Sequence, residues 1–271
     1  MKIIEKDVLA AYNAGIEKGR LHKDIGLIEF ERTKEILKEM LPPPPAVIYD
    51  IGGAYGEYSY YLTALGYEVY LYDLAEKNIE MSRKLGKKLG LKLKAAEVAD
   101  ARSINRPDNS ADAILLFGPL YHIIDREERL LCLKECRRLL KPNGLLFTAA
   151  ISRYATMLKY TARYDRKPVL DDDAFFKMLE NTVKTGFHTK KSMDLHFYFH
   201  KPYELKEEIE TAGFANTDIR GILCPVWIVR NLDKAWKRPK KREALMRVVR
   251  LLEKEESLFG LSTHFLSISK K

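Results

Sequence analysis

The chain has 271 residues, 46% of them apolar and 31% charged, and a net charge of +9; this is enough to bury one substantial core, so a single α/β domain with an elaboration is expected rather than two equal domains. No run approaches the roughly 18 consecutive apolar residues of a membrane span, and Met1 to Asp7 is charged and lacks an apolar signal core, so a cytoplasmic protein with no membrane partner is expected. The three cysteines, Cys132, Cys136 and Cys224, make neither a disulfide framework nor a zinc signature; they are expected as small buried residues, with no metal.

Residues 1–41 read as a helical cap: Leu9, Tyr12 and Ile16 share one face, and Ile28, Phe30, Ile36, Leu37 and Met40 continue after Gly26. Pro42 to Pro45 stop the last helix, because proline lacks an amide hydrogen and disfavours helix in the residue before it. The main domain is expected over 46–271. Val47 to Ile51 is a short apolar strand, Gly56 to Leu65 a helix closed by Gly66, Tyr67 to Tyr72 a second strand, and Ala75 to Leu89 a helix closed by Gly90. Leu91 to Val98 gives a third strand that ends at Ala99-Asp100-Ala101, and Ala111 to Phe117 a fourth that breaks at Gly118-Pro119. Asp125 is placed to cap a helix running to Leu140; Lys141-Pro142-Asn143-Gly144 is a turn, and Leu145 to Ile151 the fifth strand. Strands alternating with helices of this length predict a parallel sheet covered on both faces.

The alternation lapses over 152–200, which reads as a helical insertion with helices near Tyr154 to Tyr164 and Asp171 to Thr185, then the run His196-Phe197-Tyr198-Phe199-His200. A helix from Pro202 to Ala212, a strand from Thr217 to Leu223, a basic helix over 240–256 and a strand from Thr263 to Ser269 follow. Arg230 to Arg250 holds nine Lys or Arg against Asp233 and Glu243, so the basicity is one surface feature and the remaining chain is nearly balanced. A solvated helix face is its plain reading. Trp236 within the run leaves nucleic acid as a partner that is open but not favoured.

The chain is organised around Val47 to Gly56 and the acid that follows at Asp73, the outline of a nucleoside-binding βαβ unit. The turn reads Asp50-Ile51-Gly52-Gly53-Ala54-Tyr55-Gly56, without the G-x-G-x-x-G of a dinucleotide site. An acid ahead of the glycines disfavours a pyrophosphate and suits a cationic ligand that carries no phosphate.

Residues 47–151 resemble the core of a class I S-adenosylmethionine-dependent methyltransferase, the seven-stranded Rossmann-like family. Asp50 to Gly56 is similar to its D-x-G-x-G-x-G loop with Ala54 at the middle glycine, and Leu139 to Leu146 is similar to its L-K-P-G-G turn with Asn143 replacing a glycine. The resemblance implies a three-layer sandwich around a mostly parallel seven-stranded sheet whose last strand is antiparallel. It implies S-adenosylmethionine as cofactor, with S-adenosylhomocysteine as its product. It places Asp50, Gly52, Gly53, Ala54 and Gly56 around the donor, Asp73 with Leu74 at the ribose, Asp100 with Ala101 at the adenine, and Phe117 and Gly118 at the methionine moiety.

Methyl transfer is an in-line displacement at an activated carbon, so the protein has mainly to align donor and acceptor and exclude water. A general base is needed only if the acceptor holds its proton too tightly. His122, just past the fourth strand, is the candidate for acceptor positioning or proton removal, against a structural histidine capping the next helix. Tyr121 is a candidate to pack on donor or acceptor, against simple core. Alternation puts His196, Tyr198 and His200 on one face, a candidate pocket lining against an ordinary half-exposed strand, and Arg153 and Tyr154 fall at the carboxyl edge of the sheet, where ligands of open α/β folds bind, as candidates for substrate contact against a structural role. In the cap, Tyr12, Glu17 and Arg20 are polar among apolar neighbours; the resemblance makes Tyr12 or Arg20 a candidate to reach the donor carboxylate, against a solvated helix face. The expected function is methyl transfer to a small-molecule acceptor. The alternatives are an RNA or protein methyltransferase that uses the 230–250 segment, and a noncatalytic regulatory protein that binds S-adenosylmethionine.

Overall fold

In the computed structural model, which describes residues 3–15, 19–165, 169–190 and 195–271, the apolar runs pair side by side. The strands β1 (Val47–Ile51), β2 (Glu68–Asp73), β3 (Ala95–Val98), β4 (Ala111–Leu116) and β5 (Leu140–Ile151) are mutually parallel. Side chains alternate across the sheet: Ile48, Ala113 and Leu115 enter the core on one face, and Tyr49, Ile51, Ile114 and Leu116 the core on the other. The order is β3-β2-β1-β4-β5-β9-β8, in which β9 (His264–Lys270) runs antiparallel to both β5 and β8 (Ala215–Gly221). This is the expected Rossmann-like class with its antiparallel last strand in sequence. One boundary differs: β5 opens at Leu140, which pairs with Ala111 ahead of an irregularity, so the Lys-Pro-Asn-Gly turn lies within the strand and Asn143 takes φ 64.

Helices cover both faces because each supplies one apolar stripe. On one face lie α2 (Gly26–Met40), α3 (Glu57–Ala64), α4 (Glu76–Leu89) and α11 (Pro239–Leu252), through Ile28, Ile36, Leu62, Ile79, Met246 and Val249. On the other lie α6 (Arg126–Leu139) and α9 (Pro202–Thr211), through Leu130, Leu133, Leu205 and Ile209. Asp125 caps α6 as expected, accepting from the Glu128 amide at 3.1 Å. The α2 helix of the cap packs into the sheet core itself, while α1 (Ile3–Asn13) lies against α4 and the insertion. Ile16 and Glu17 fall outside the described residues.

The insertion contains α7 (Ala155–Thr161), α8 (Asp173–Thr185) and a separate hairpin in which β6 (Phe187–Lys190) pairs with β7 (Leu195–Tyr198). The aromatic run is thus a strand, and its partner β6 carries no alternation that announces it. All three cysteines are buried, and no helix among the described residues is long and apolar enough to cross a membrane. Between β1 and β4 the sheet order reverses direction, so the connections leave on opposite sides and a crevice opens at their carboxyl ends.

Candidate active site

The loop after β1 is held tight against the sheet. The Gly52 amide donates to the Tyr72 carbonyl at 2.7 Å, and Gly52 takes φ 74, where a Cβ would stand 2.6 Å from the Pro119 ring. A Cβ on Gly53 would stand 2.5 Å from the Asp50 carboxyl, so neither position tolerates a side chain. Ala54 takes φ 49, the left-handed region that the resemblance assigns to a glycine.

Asp73 fastens this loop to the next helix. One oxygen accepts from the Ala54 amide at 2.9 Å, and the other accepts from the Ala75 amide and the Asn78 side chain, both at 2.9 Å. Asp50 is 1% exposed; its Oδ2 accepts from Ser59 Oγ at 2.6 Å, and its Oδ1 has no hydrogen-bond partner among the described residues. Burial pushes the Asp50 carboxyl up to about 7, with the Asp73 charge adding to the rise and the Ser59 hydrogen bond opposing it. At Asp100 burial also acts upward, but the Arg102 guanidinium, 2.9 Å and 2.5 Å from its two oxygens, holds it below its ordinary value. Arg102 also reaches Glu128 at 2.8 Å.

The other wall comes from β4 and the cap. The Phe117 ring meets Tyr58 edge-on at 5.2 Å, and after Gly118 the chain enters a single helical turn, α5 (Pro119–His122), with proline at its start. That turn brings His122 to Tyr12 of α1, Nε2 to Oη 2.7 Å, with Tyr121 and Phe197 packed 4.7 Å and 5.1 Å from the imidazole. Burial pushes His122 down to about 3, which keeps the ring neutral; its Nδ1 is buried without a partner among the described residues. Arg20 is clamped by both oxygens of Glu29, at 2.8 Å and 3.0 Å, and Glu29 also meets His264 Nδ1 at 3.1 Å. Burial acts to raise the Glu29 carboxyl, but Arg20 and His264 together hold it far below the usual range.

These groups line one cleft of about 480 Å³, a volume suited to a cofactor-sized ligand. It collects Asp50, Gly52, Gly53, Ala54, Asp73, Leu74, Asp100, Ala101, Phe117 and Gly118 from the sheet edge, and Tyr12, Arg20, Tyr121 and His122 from the cap side. Five of the sequence-predicted residues do not line it. Gly56 packs against α4, where a Cβ would stand 2.9 Å from Ser82 Oγ. Arg153 is buried, donates to the Phe199 carbonyl at 2.7 Å and pairs with Glu204; Tyr154 follows it. His196 stacks on Phe187 at 5.3 Å. His200 is buried against Glu208, 3.3 Å away, and Glu208 is paired with Arg129. The face shared by Tyr198 and His200 therefore looks into the junction of the insertion with α6 and α9, where Tyr198 lies 3.7 Å from the Arg129 guanidinium. Sequence reading missed Arg102, Glu128 and Tyr58 as lining residues; only the closeness of Arg102 to Asp100 gives the first a local signal.

The residues fit S-adenosylmethionine. The buried, partnerless Asp50 oxygen and the acids at Asp73 and Asp100 suit a cationic ligand without phosphates, and the bare backbone at Gly52 and Gly53 permits close approach. Residues 49–148 match the sequence profile of a methyltransferase domain. No curated protein sequence matches the chain. Among solved structures, a methyltransferase from Methanosarcina mazei is 19% identical with a TM-score of 0.58, covering 87% of this chain and 96% of its own. A methyltransferase from Thermotoga maritima, a candidate histamine N-methyltransferase, is 16% identical with a TM-score of 0.57, covering 98% and 99%. One from Mesorhizobium loti is 17% identical with a TM-score of 0.53, covering 88% and 96%. At these identities the likeness is one of fold, and each of the three is an S-adenosylmethionine-dependent methyltransferase. The profile match over residues 49–148, the sheet order and the cleft agree: this part of the chain is a methyltransferase domain, on a Rossmann-like fold shared with S-adenosylmethionine-dependent methyltransferases.

Proposed function

We propose that the chain is an S-adenosylmethionine-dependent methyltransferase of the class I family, acting on a small-molecule acceptor held at the Tyr12 and His122 end of the cleft. The observation that carries the reading is the cap: Val8, Leu9 and Tyr12 of α1, with Arg20 and Leu21 of the following turn, line the same cavity as Asp50, Asp73 and Asp100. An acceptor must fit beneath helices of the chain itself, which favours a compact molecule over an extended polymer. The Thermotoga maritima neighbour, a candidate histamine N-methyltransferase, agrees with an acceptor of that size.

S-adenosylmethionine, when bound, supplies a methyl carbon already activated by a sulfonium. The loop from Asp50 to Ala54, with Asp73 and Leu74, Asp100 and Ala101, and Phe117 and Gly118, holds and orients it, and the Arg20 guanidinium fixed by Glu29 is the group for its carboxylate. Arg153 and His200 keep a supporting role, pairing the insertion with Glu204 and Glu208 of α9, while His196 stacks within the β6–β7 hairpin. His122, neutral and buried, is a weak base. Its contribution is orientation: it fixes the Tyr12 hydroxyl, and the pair aligns the acceptor while Tyr121 and Phe197 exclude water from the ring.

Turnover on a panel of amines, phenols, thiols and carboxylates, with calorimetry against S-adenosylhomocysteine, tests this. Tyr12→Phe and His122→Asn are expected to lower turnover at least about tenfold while product binding is retained. Tight binding with no turnover on any acceptor would favour a noncatalytic role. If neither donor nor product bound, and Asp73→Ala made no difference, the reading would fail at its base.

A further inference from the structure

Methyl transfer leaves the basic run unused. It folds as α10 (Leu232–Trp236) and α11, neither of which lines the cleft. Arg250 is paired with Glu35 and Glu243, and Arg230 lies 3.7 Å from Asp165. Lys234, Lys237, Arg238, Lys240, Lys241, Arg242 and Arg247 are exposed and enter no ion pair among the described residues.

Their placement works against the helix that carries them. Arg238 sits at the N-cap of α11 without a capping hydrogen bond, and the first turn has no acid to balance Lys240, Lys241 and Arg242. Cations there oppose the positive end of the helix dipole, so fold stability gives no reason for them. Burial of Met246 and Val249 keeps the helix in place regardless. On its outer side Val248 and Leu251, 39% and 79% exposed, share a stripe with Ala244 and Arg247. The surface also borders the cap: the Asp24 amide donates to Asp233 of α10 at 3.1 Å, a few residues past Arg20 and Leu21 of the cleft wall.

We propose that α10 and α11 form a docking surface for an anionic lipid bilayer, with the cations against the headgroups and Val248 and Leu251 entering the boundary of the acyl region. Exposed aliphatic side chains among unpaired cations are what an interfacial helix presents to lipid. Single-stranded RNA calls for open aromatic platforms, whereas Trp236 is half-buried and has the Arg242 guanidinium 6.0 Å from its ring. A second copy of the chain would set like charges face to face. The contact is peripheral and requires no spanning helix.

Cosedimentation of the full chain with vesicles of phosphatidylcholine, alone or with about one-third phosphatidylglycerol, tests the proposal, since a cation near an anionic surface is worth about fivefold in partitioning. Wild type is expected to bind the anionic vesicles only. Neutralising Lys237, Arg238, Lys240 and Lys241 to Gln together should weaken binding by at least about a hundredfold, and Leu251→Ser, which leaves the charge unchanged, by about tenfold. Thermal unfolding of each variant confirms that the fold is retained. Equal binding to both vesicle types, or no loss with Leu251→Ser, overturns the proposal. So does a salt-sensitive RNA shift without vesicle binding, which assigns the surface to nucleic acid, or polyglutamate held more tightly than the vesicles, which assigns it to an acidic protein.

Discussion

Asp50 accepts one hydrogen bond, from Ser59, while its other oxygen has no partner among the described residues, and burial lifts its pKa to about 7. In the unfolded chain the same group titrates near 3.8. Between these values the folded protein keeps a proton that the unfolded chain has released, so the Asp50 contribution to stability is whole below about pH 4 and is lost as pH rises through about 7. Each pH unit in that window is worth about 1.4 kcal/mol. Asp50→Asn, which cannot ionise, is expected to gain about 2–3 kcal/mol on wild type between pH 5 and pH 8, read from urea unfolding at the two values. An unchanged difference would mean that Asp50 is not held protonated. Binding of a cationic donor should favour the ionised form and tighten over the same range. Ala54 is a second residue under constraint: its left-handed backbone costs an L-residue about 1 kcal/mol, a strain placed where loop meets ligand.

Among the elements, α6 and α9 are joined by a buried ion pair, Arg129 to Glu208 at 2.6 Å, with His200 closing the group from the end of the insertion. Burial acts to raise Glu208, but the Arg129 and His200 hydrogen bonds hold it down to about 2. Its contribution is therefore present above pH 4.5 and lost as pH falls toward 2. Glu208→Gln leaves Arg129 without its counter-ion and is expected to cost about 3–5 kcal/mol in urea unfolding at pH 7, whereas Arg129→Met combined with Glu208→Leu should recover most of that loss. This pair also marks where sequence reading stops. The βαβ units, the Asp125 cap and the glycine closures at Gly66 and Gly90 were legible because apolar period and capping are local. The β6 strand and the one-turn α5 were not, since neither is long enough to show a period. Alternation marked Tyr198 and His200 as one face but could not say that the face looks at Arg129 rather than the cleft. Likewise Tyr12 and His122 were each candidates, but their contact spans 110 positions, and only the folded cap brings them together.

For the whole molecule, the cleft draws on the loops after β1, β2, β3 and β4 and on the cap, so one ligand touches five separate segments of the chain at once. S-adenosylhomocysteine at a hundred times its dissociation constant is expected to raise stability by about 2.7 kcal/mol, measured as a thermal shift that Asp73→Ala removes. No shift in the wild type would count against the cleft as the donor site. The sheet order carries a different lesson, about synthesis. Strand β9 lies between β5 and β8 although it comes after both, with residues 222–263 intervening after β8. While the chain is still emerging from the ribosome, β5 therefore offers an unpaired edge and β8 has no neighbour to join. Open edges of this kind invite pairing with other chains. The interval between translation of Gly221 and Lys270 is then when the nascent protein would be most open to aggregation, and when a chaperone would do most for its yield.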